Sequence, residues 1–125
     1  MSQDYDSPMF TRFSDSLGNV EHMREPRNNF NYSSSRPLRV GDAIRLEVEV
    51  DAHYNEDEYT ISWTVANTSS PETGSGKSFS LTLEKRHVNE QFAIQVTLTS
   101  KREWHRMGNL DSYLTVNYKV LPPPF

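Results

Sequence analysis

Hydrophobic and polar side chains alternate along most of the chain after residue 37. Because side chains point to opposite faces along an extended strand, such alternation predicts strands that are buried on one face only. The clearest run is YTISWTVANT at residues 59–68, where Trp63 is predicted to lie in mid-strand at the centre of the core. Further runs predict strands at residues 38–40, 43–50, 78–83, 92–99 and 112–120.

Turn residues separate these runs, and no segment after residue 37 has the period of a helix. Spacing of this kind is typical of an antiparallel β-sandwich. A chain of 125 residues is long enough for one core but not for two. We therefore expect an all-β fold in which residues 37–125 form a sandwich of six or seven strands.

Residues 1–36 have a different pattern, with many Asp, Asn, Ser and Arg residues and no sustained period of either kind. So little apolar surface cannot offset the entropy that is lost on ordering the chain, which predicts an irregular N-terminal arm. The arm is expected to be partly disordered or docked on the sandwich through its scattered aromatic residues. These are Tyr5, Phe10, Phe13, Phe30 and Tyr32.

Charge and composition narrow the classes of partner. The formal net charge of −4 predicts no bulk binding to nucleic acid. The sequence has no cysteine, which excludes disulfide bonds and thiolate metal sites. No run approaches the ~20 apolar residues of a membrane span, and the N-terminus lacks the apolar stretch of a signal peptide. We expect no membrane partner and a cytoplasmic location.

The strongest candidate for ligand binding is the loop that follows the strand at residues 92–99. Here an indole lies next to three cationic residues and an imidazole, a combination that can stack on a base and hold phosphate groups. The candidate ligand-binding residues are Lys101, Arg102, Trp104, His105 and Arg106. In the alternative interpretation, Trp104 folds back over the open end of the core and the charges stay in solvent.

Other candidate sites are weaker. The acidic connection at residues 51–58 offers oxygen ligands for Ca²⁺ but lacks the alternate-position carboxylates and the glycine of a dedicated calcium loop, which favours a solvated turn. Its candidate ligands are Asp51, His53, Glu56, Asp57 and Glu58. The four histidines are far apart, and GSGK at residues 74–77 lacks the spacing of a phosphate-binding loop. No nucleophile motif is present, so we expect no catalysis, no metal and no cofactor.

Several features of the chain resemble PKD-like and other Ig-like domains. They are Gly41-Asp42 before the first long strand, Trp63 in the next, Gly74 and Gly76 ahead of Phe79, and FAIQVTL at residues 92–98. The resemblance covers about two-thirds of the chain and implies an Ig-like sandwich whose end loops carry function. The chain departs from the pattern in having no cysteine pair and in the VANTSS stretch after the tryptophan.

The run at residues 59–68 also resembles a motif in the C-terminal sensor domain of bacterial nucleotidyltransferases that make cyclic oligonucleotide signals in antiphage defence. The motif has the form Y-x-I-x-W-x-V-x-N-T, carried here by Tyr59, Ile61, Trp63, Val65, Asn67 and Thr68. This resemblance implies a sensor of a nucleotide-type ligand. The arginine-glycine step and the cysteine-containing strand that follow in the family are missing, so its ligand contacts do not transfer.

Two functions remain open. The first is a non-catalytic binding or sensor module that recognises a nucleotide-type ligand in a bacterial antiphage-defence system. The second is a protein-interaction or structural Ig-like domain in a larger assembly, with residues 1–36 ordering on a partner. A partner strand could also pair with a sheet edge, because the Trp63 and Phe92 strands expose Thr and Ser faces. An enzyme is disfavoured because the loops offer no set of acid, base and nucleophile.

Overall fold

The computed structural model describes residues 9–23, 29–51, 55–66, 72–88, 92–101 and 112–122. These residues form eleven strands and two short 3-10 turns, Glu56–Glu58 and Lys85–His87. The strands are β1 Phe10–Asp15, β2 Val20–His22, β3 Asn29–Ser33, β4 Leu38–Arg39, β5 Ala43–Val50, β6 Tyr59–Ala66, β7 Thr73–Ser75, β8 Ser78–Thr82, β9 Phe92–Ser100, β10 Ser112–Tyr118 and β11 Val120–Leu121. Within the described residues, no helix is long and apolar enough to cross a membrane.

Two sheets pack face to face. The strand order is β2-β1-β5-β8 in the four-stranded sheet and β3-β10-β9-β6-β7 in the five-stranded sheet. β4 and β11 form a separate two-stranded ribbon. Neighbouring strands are antiparallel except in the pairs β3–β10 and β4–β11, which are parallel. The predicted all-β sandwich is confirmed, and each of the six predicted strand regions contains a strand.

The core lies between the sheets and follows the predicted alternation. Along β5 and β6, every second side chain is buried. Trp63 is 1% exposed, and its ring stacks on Phe79 of the opposite sheet with 5.7 Å between the ring centroids. The indole Nε1–H donates to the carbonyl oxygen of Gly76 at 2.7 Å, so burial leaves no unsatisfied donor on this ring. One large side chain therefore joins the two sheets, as the sequence predicts.

The N-terminal segment differs from the prediction of an irregular arm. Three strands, β1 to β3, lie within residues 10–33, so the strand count is higher than the predicted six or seven. β1 occupies an inner position between β2 and β5. Its register on β5 shifts between Phe10 and Arg12, and this irregularity turns both Phe10 and Phe13 into the core. Burial of the two phenyl rings stabilises a strand whose other residues are polar.

β7 lies in a second segment where the alternation predicts no strand, the polar connection at residues 69–77. Its residues pair with β6, and Gly74 stands opposite Trp63 in the register. A Cβ atom on Gly74 would come within 2.8 Å of the Phe79 ring, so only glycine permits the stacked rings to approach the strand this closely. The polar, glycine-containing composition therefore reflects close packing as well as a turn.

The strands define two ends of the sandwich. At the loop end, β5 and β9 finish and β6 and β10 begin, at Val50, Ser100, Tyr59 and Ser112. At the opposite end, called the clasp end, β1, β8 and β10 finish, at Asp15, Thr82 and Tyr118. The acidic and the basic segments predicted from the sequence therefore both start from strands at the loop end.

Candidate functional site

A cleft of about 340 Å³ opens at the loop end, where the chain crosses from one sheet to the other. The crossing is the two-residue connection between β7 and β8 at residues 76–77. Gly76 has a φ angle of +99°, a backbone conformation that residues with a side chain disfavour. The cleft is lined by Glu56, Tyr59, Thr60, Ile61, Ser75, Gly76 and Lys77.

The apolar wall of the cleft is continuous with the core. Tyr59 and Ile61 are 5% and 6% exposed, because alternation along β6 turns both side chains inward. The Gly76 N–H donates to the Ile61 carbonyl oxygen at 3.2 Å, and the Gly76 carbonyl oxygen accepts the indole hydrogen bond of Trp63. Two hydrogen bonds therefore attach the crossing to the central strand and give the cleft a preformed wall.

An ion pair lies at the mouth of the cleft. Lys77 Nζ is 3.2 Å from Glu56 Oε1, and the two side chains are 48% and 79% exposed. The hydrogen bond from Lys77 to Glu56 raises the pKa of the lysine above its usual value, and slight burial opposes this rise. Exposed pairs of this kind contribute only about 0–1 kcal/mol to stability. An anionic ligand could therefore take the place of Glu56 at small cost.

Lys101 is the one predicted ligand-binding residue that falls within the described part of the chain. It is exposed directly after β9, and its backbone N–H donates to the carbonyl oxygen of Glu58 at 2.9 Å. Because Ser100 pairs with Tyr59, the predicted basic loop starts beside the cleft. The other four candidates lie outside the described residues: Arg102, Trp104, His105 and Arg106.

The predicted acidic connection ends in the 3-10 turn Glu56–Glu58, directly before β6. At its start, the Asp51 N–H donates to the carbonyl oxygen of Met9 at 3.1 Å, and His53 lies outside the described residues. Among the described residues of this end, no three carboxylate or imidazole groups lie close enough to share a metal ion. The structure joins the acidic and basic segments through the main-chain hydrogen bond of Lys101 to Glu58.

Gly76 and Lys77 are cleft residues that motif analysis of the sequence misses. The GSGK stretch at residues 74–77 lacks the spacing of a phosphate-binding loop, yet it supplies both residues to the cleft. The feature of the sequence that indicates the cleft is the position of this stretch between two predicted strands. A glycine-rich connection that moves the chain between sheets leaves space at the sheet edges, and a lysine there points a cation at that space.

A second polar cluster lies at the clasp end. His87 is fully buried, and its ring meets Phe92 edge to face with 5.6 Å between centroids. The Glu84 N–H donates to His87 Nδ1 at 2.9 Å, and His87 Nε2 is 3.1 Å from Glu72 Oε1. Arg86 pairs with both carboxylates, and its hydrogen bond lowers the pKa of Glu84. The cluster connects residues that precede β7 with the 3-10 turn that follows β8.

These contacts identify the cluster as a structural clasp rather than a metal centre. Glu72, Glu84 and His87 place three potential ligand atoms within 4.8 Å of one another. Nδ1 accepts a hydrogen bond, so a neutral imidazole must carry its proton on Nε2, where it faces Glu72. Neither ring nitrogen then has a lone pair available to a metal ion. The Arg86 guanidinium already balances carboxylate charge in the cluster.

A carboxylate network completes the clasp end. Asp15 Oδ1 accepts hydrogen bonds from the backbone N–H groups of Leu17 and Asn19, each at 3.0 Å. Its Oδ2 accepts from Asn19 Nδ2 at 2.8 Å and from the Tyr118 hydroxyl at 2.7 Å. The Tyr32 hydroxyl donates to Asn19 Oδ1 at 2.9 Å. Burial, together with the Asp15 carboxylate, raises the pKa of Tyr118. One aspartate thus ties β1 of one sheet to β10 of the other.

A scan of the sequence against protein-family models gave no match, and searches of curated proteins and of solved structures returned no significant match. No relative therefore contributes a substrate, a partner or a residue role. The function proposed for the chain rests on the chemistry of its own residues and on the geometry of the two ends.

Proposed function

We propose that the chain is a non-catalytic binding or sensor module that recognises a nucleotide-type ligand at the loop end. The observation that carries this proposal is the preformed cleft beside Lys77, next to the strand end from which the basic loop starts. A volume of about 340 Å³ lies within the range of sites that bind small molecules. The cleft combines an apolar wall with a few polar groups, as such sites usually do.

The two walls of the cleft suit the two parts of a nucleotide. Tyr59 and Ile61 offer an apolar surface for a planar base. Lys77 supplies a cation at the mouth for a phosphate group. Its pairing with the exposed Glu56 is weak, so an anion can compete for the ammonium group.

The basic loop adds the features that a base and its phosphates require. Lys101 leaves β9 beside the cleft, and Arg102, Trp104 and Arg106 follow within five residues. Aromatic rings stack on bases, and guanidinium groups bind phosphate with two hydrogen bonds. The sequence that follows Lys101 therefore offers the residue types that a nucleotide ligand requires.

The strand order supports an Ig-like or PKD-like sandwich. In Ig-like domains the first, second and fifth strands share one sheet, and the third, sixth and seventh share the other, with a buried tryptophan on the third. The order β1-β5-β8 on one side and β10-β9-β6 on the other, with Trp63 on β6, follows this scheme. Such sandwiches carry their binding loops at the ends, which agrees with a site at the loop end.

A setting in bacterial antiphage defence and a cytoplasmic location belong to the same proposal. Both rest on the resemblance of the run at residues 59–68 to the sensor-domain motif. The non-catalytic assignment rests on the sequence, which contains no nucleophile motif.

The second candidate function is a protein-interaction or structural Ig-like domain. The three strands of the N-terminal segment pair within the sheets of the chain itself. This candidate function therefore relies on the surfaces of the sheets rather than on an arm that orders on a partner. The observation that favours it is the outer face of the five-stranded sheet, where none of the described strand residues is charged.

A thermal-shift assay with mononucleotides, cyclic dinucleotides and cyclic trinucleotides tests the proposed function. A ligand that binds only the native state stabilises it by about 2.7 kcal/mol at a concentration of 100 times Kd. We expect one cyclic nucleotide to raise the Tm, and we expect Lys77→Ala and the double variant Trp104→Ala/Arg106→Ala to abolish that rise.

The matched control is Lys85→Ala, which removes an exposed cation at the clasp end. This variant should keep the full Tm shift. The proposed function is wrong if no nucleotide raises the Tm of the wild-type chain, or if the loop-end variants and the control retain the shift equally.

A further inference from the structure

The outer face of the five-stranded sheet has an unusual composition. Charged residues make up 24% of the chain, yet none of the described outward-facing residues within these five strands is charged. The hydroxyl, amide and phenol side chains of this face, called the uncharged face, are Asn31, Ser33, Thr60, Ser62, Thr64, Thr73, Ser75, Gln95, Thr97, Thr99, Tyr113, Thr115 and Asn117.

The outer face of the four-stranded sheet provides the contrast. There Arg12 lies 3.2 Å from Glu49, and Arg45 lies 3.1 Å from Glu47. Both sheets belong to the same chain and have one face in contact with the same core. The lack of charge is therefore a property of one face and not of the protein as a whole.

Charged residues near the uncharged face stand just outside its strands. Glu58 precedes β6, Lys101 follows β9, Glu72 precedes β7 and Lys119 follows β10. Solubility alone would favour charges along an exposed strand as well as at its ends. A surface that keeps its charges at the margins shares one feature with protein interfaces, where charged residues are depleted at the centre. Tyr113, 37% exposed, lies on this face.

We propose that the uncharged face is the interface of a symmetric homodimer, in which it packs against the same face of a second copy of this chain. Hydroxyl and amide groups both donate and accept hydrogen bonds, so a surface made of them is complementary to itself. Apposing two copies brings no like charges together, although each copy carries a net charge of −4. Two-fold symmetry is the commonest symmetry among soluble homo-oligomers.

The area of the uncharged face is large enough for a dimer interface. Its strands contain five, seven, nine, eight and three residues. Each strand residue covers about 16 Å² of sheet, from a rise of about 3.4 Å and a strand spacing of about 4.8 Å. The projected area is therefore about 500 Å² per copy, and two copies bury about 1,000 Å² or more once side-chain relief is included. This reaches the lower size of a specific interface.

Side chains of the uncharged face form hydrogen bonds with one another within one copy of the chain. Gln95 Nε2 donates to Thr115 Oγ1 at 3.4 Å, and Asn117 Nδ2 donates to Asn31 Oδ1 and to the carbonyl oxygen of Tyr32 at 3.2 Å. Side chains that are held before association lose less conformational entropy when a partner binds. Short polar side chains such as Thr and Ser lose little in any case.

Sedimentation velocity of the full chain, from about 1 to 500 μM and without nucleotide, tests the dimer. We expect the wild-type chain to change from monomer to dimer over this range. Thr97→Arg places a cation on the central strand β9 and should weaken association at least about 100-fold, because like charges within an interface cost several kcal/mol. Ser62→Glu, on the neighbouring β6, should have the same effect with the opposite charge.

Ser80→Arg on β8 is the matched control, since it adds the same cation to an exposed position of the other sheet. It should leave the dimer unchanged, and circular dichroism should show all three variants folded. The inference is overturned if the wild-type chain remains a monomer at 500 μM, or if Thr97→Arg and Ser62→Glu dimerise as the wild type does. A heterologous partner or a carbohydrate would leave the chain monomeric in this assay and so contradicts the inference. Because nucleotide is absent, failure here leaves the proposed function standing.

Discussion

The clasp end and the loop end of the sandwich use polar residues in opposite ways. At the clasp end, Asp15 accepts four hydrogen bonds and His87 is buried between its partners. At the loop end, Lys77 and Glu56 form one exposed pair at the mouth of a cleft. The difference indicates that the polar residues of the clasp end hold the two sheets together. The polar residues of the loop end can exchange their ion-pair partner for another group. Removing polar groups at the two ends should therefore have different consequences.

The largest effect is expected from Asp15→Ala. The substitution removes the acceptor of four hydrogen bonds and leaves the buried Tyr118 hydroxyl without its partner. We expect the free energy of unfolding to fall by about 3 kcal/mol, measured by urea denaturation. The matched change at the loop end is Asp57→Ala in the exposed 3-10 turn, which should cost less than about 0.5 kcal/mol. Equal losses at the two ends would contradict the division between them.

A smaller effect is expected from Tyr118→Phe. This variant keeps the buried ring and removes only the hydroxyl that donates to Asp15 Oδ2 at 2.7 Å. A hydrogen bond to a charged group contributes about 1.5–3 kcal/mol, and Asp15 keeps its other donors, so the expected loss is about 1.5 kcal/mol in the same denaturation assay. A neutral result would mean that the network is not a link between β1 and β10.

The same tyrosine should make stability depend on alkaline pH. Burial raises the pKa of folded Tyr118 above its ordinary value of 10.0, so above pH 10 the unfolded chain releases this proton while the folded chain retains it. Stability is therefore full below pH 10 and falls above it, by about 1.4 kcal/mol per pH unit from this group. Denaturation at pH 9, 10.5 and 11 should show a steeper decline for the wild type than for Tyr118→Phe. Parallel declines would contradict the buried, protonated hydroxyl.

The smallest effect on stability is expected from Lys77→Ala. Its pair with Glu56 is exposed, so the free energy of unfolding should change by less than about 0.5 kcal/mol. The same variant should lose the nucleotide-dependent rise in Tm, since Lys77 is the described cation at the mouth of the cleft. A loss of stability comparable to that of Tyr118→Phe would show that the loop end also holds the fold together.

Most of the fold follows from a period of two in the sequence, and the exceptions have identifiable causes. β5 and β6 are predictable because one buried face produces strict alternation, and β9 alternates in the same way from Ile94 onward. β1 is not, because its register shift places Phe10 and Phe13 three positions apart on the same face. Two buried residues at this spacing do not produce a period of two, so the alternation pattern does not predict this strand. The short β2 and β7 have too few residues to produce a pattern, and they depend on their neighbours for pairing.

The sequence predicts only part of the candidate site. The strand order places two loops of opposite charge at the same end of the sandwich. Lys101 lies where the alternation predicts the end of a strand. The cleft is different, because it arises where the chain changes sheets at Gly76, and local composition does not report such a change. The contacts of His87 with Glu72 are equally hidden, since they join residues 15 positions apart.

A two-dimensional amide NMR titration of the ¹⁵N-labelled chain with the cyclic nucleotide that raises its Tm tests directly whether the ligand binds at the loop end. If the ligand binds at the loop end, chemical-shift changes will appear at residues 56–61, 75–77 and 101, and none in the clasp cluster of Glu72, Glu84 and His87. Changes centred on the clasp end, or no changes at saturating ligand, would contradict a nucleotide site at the loop end.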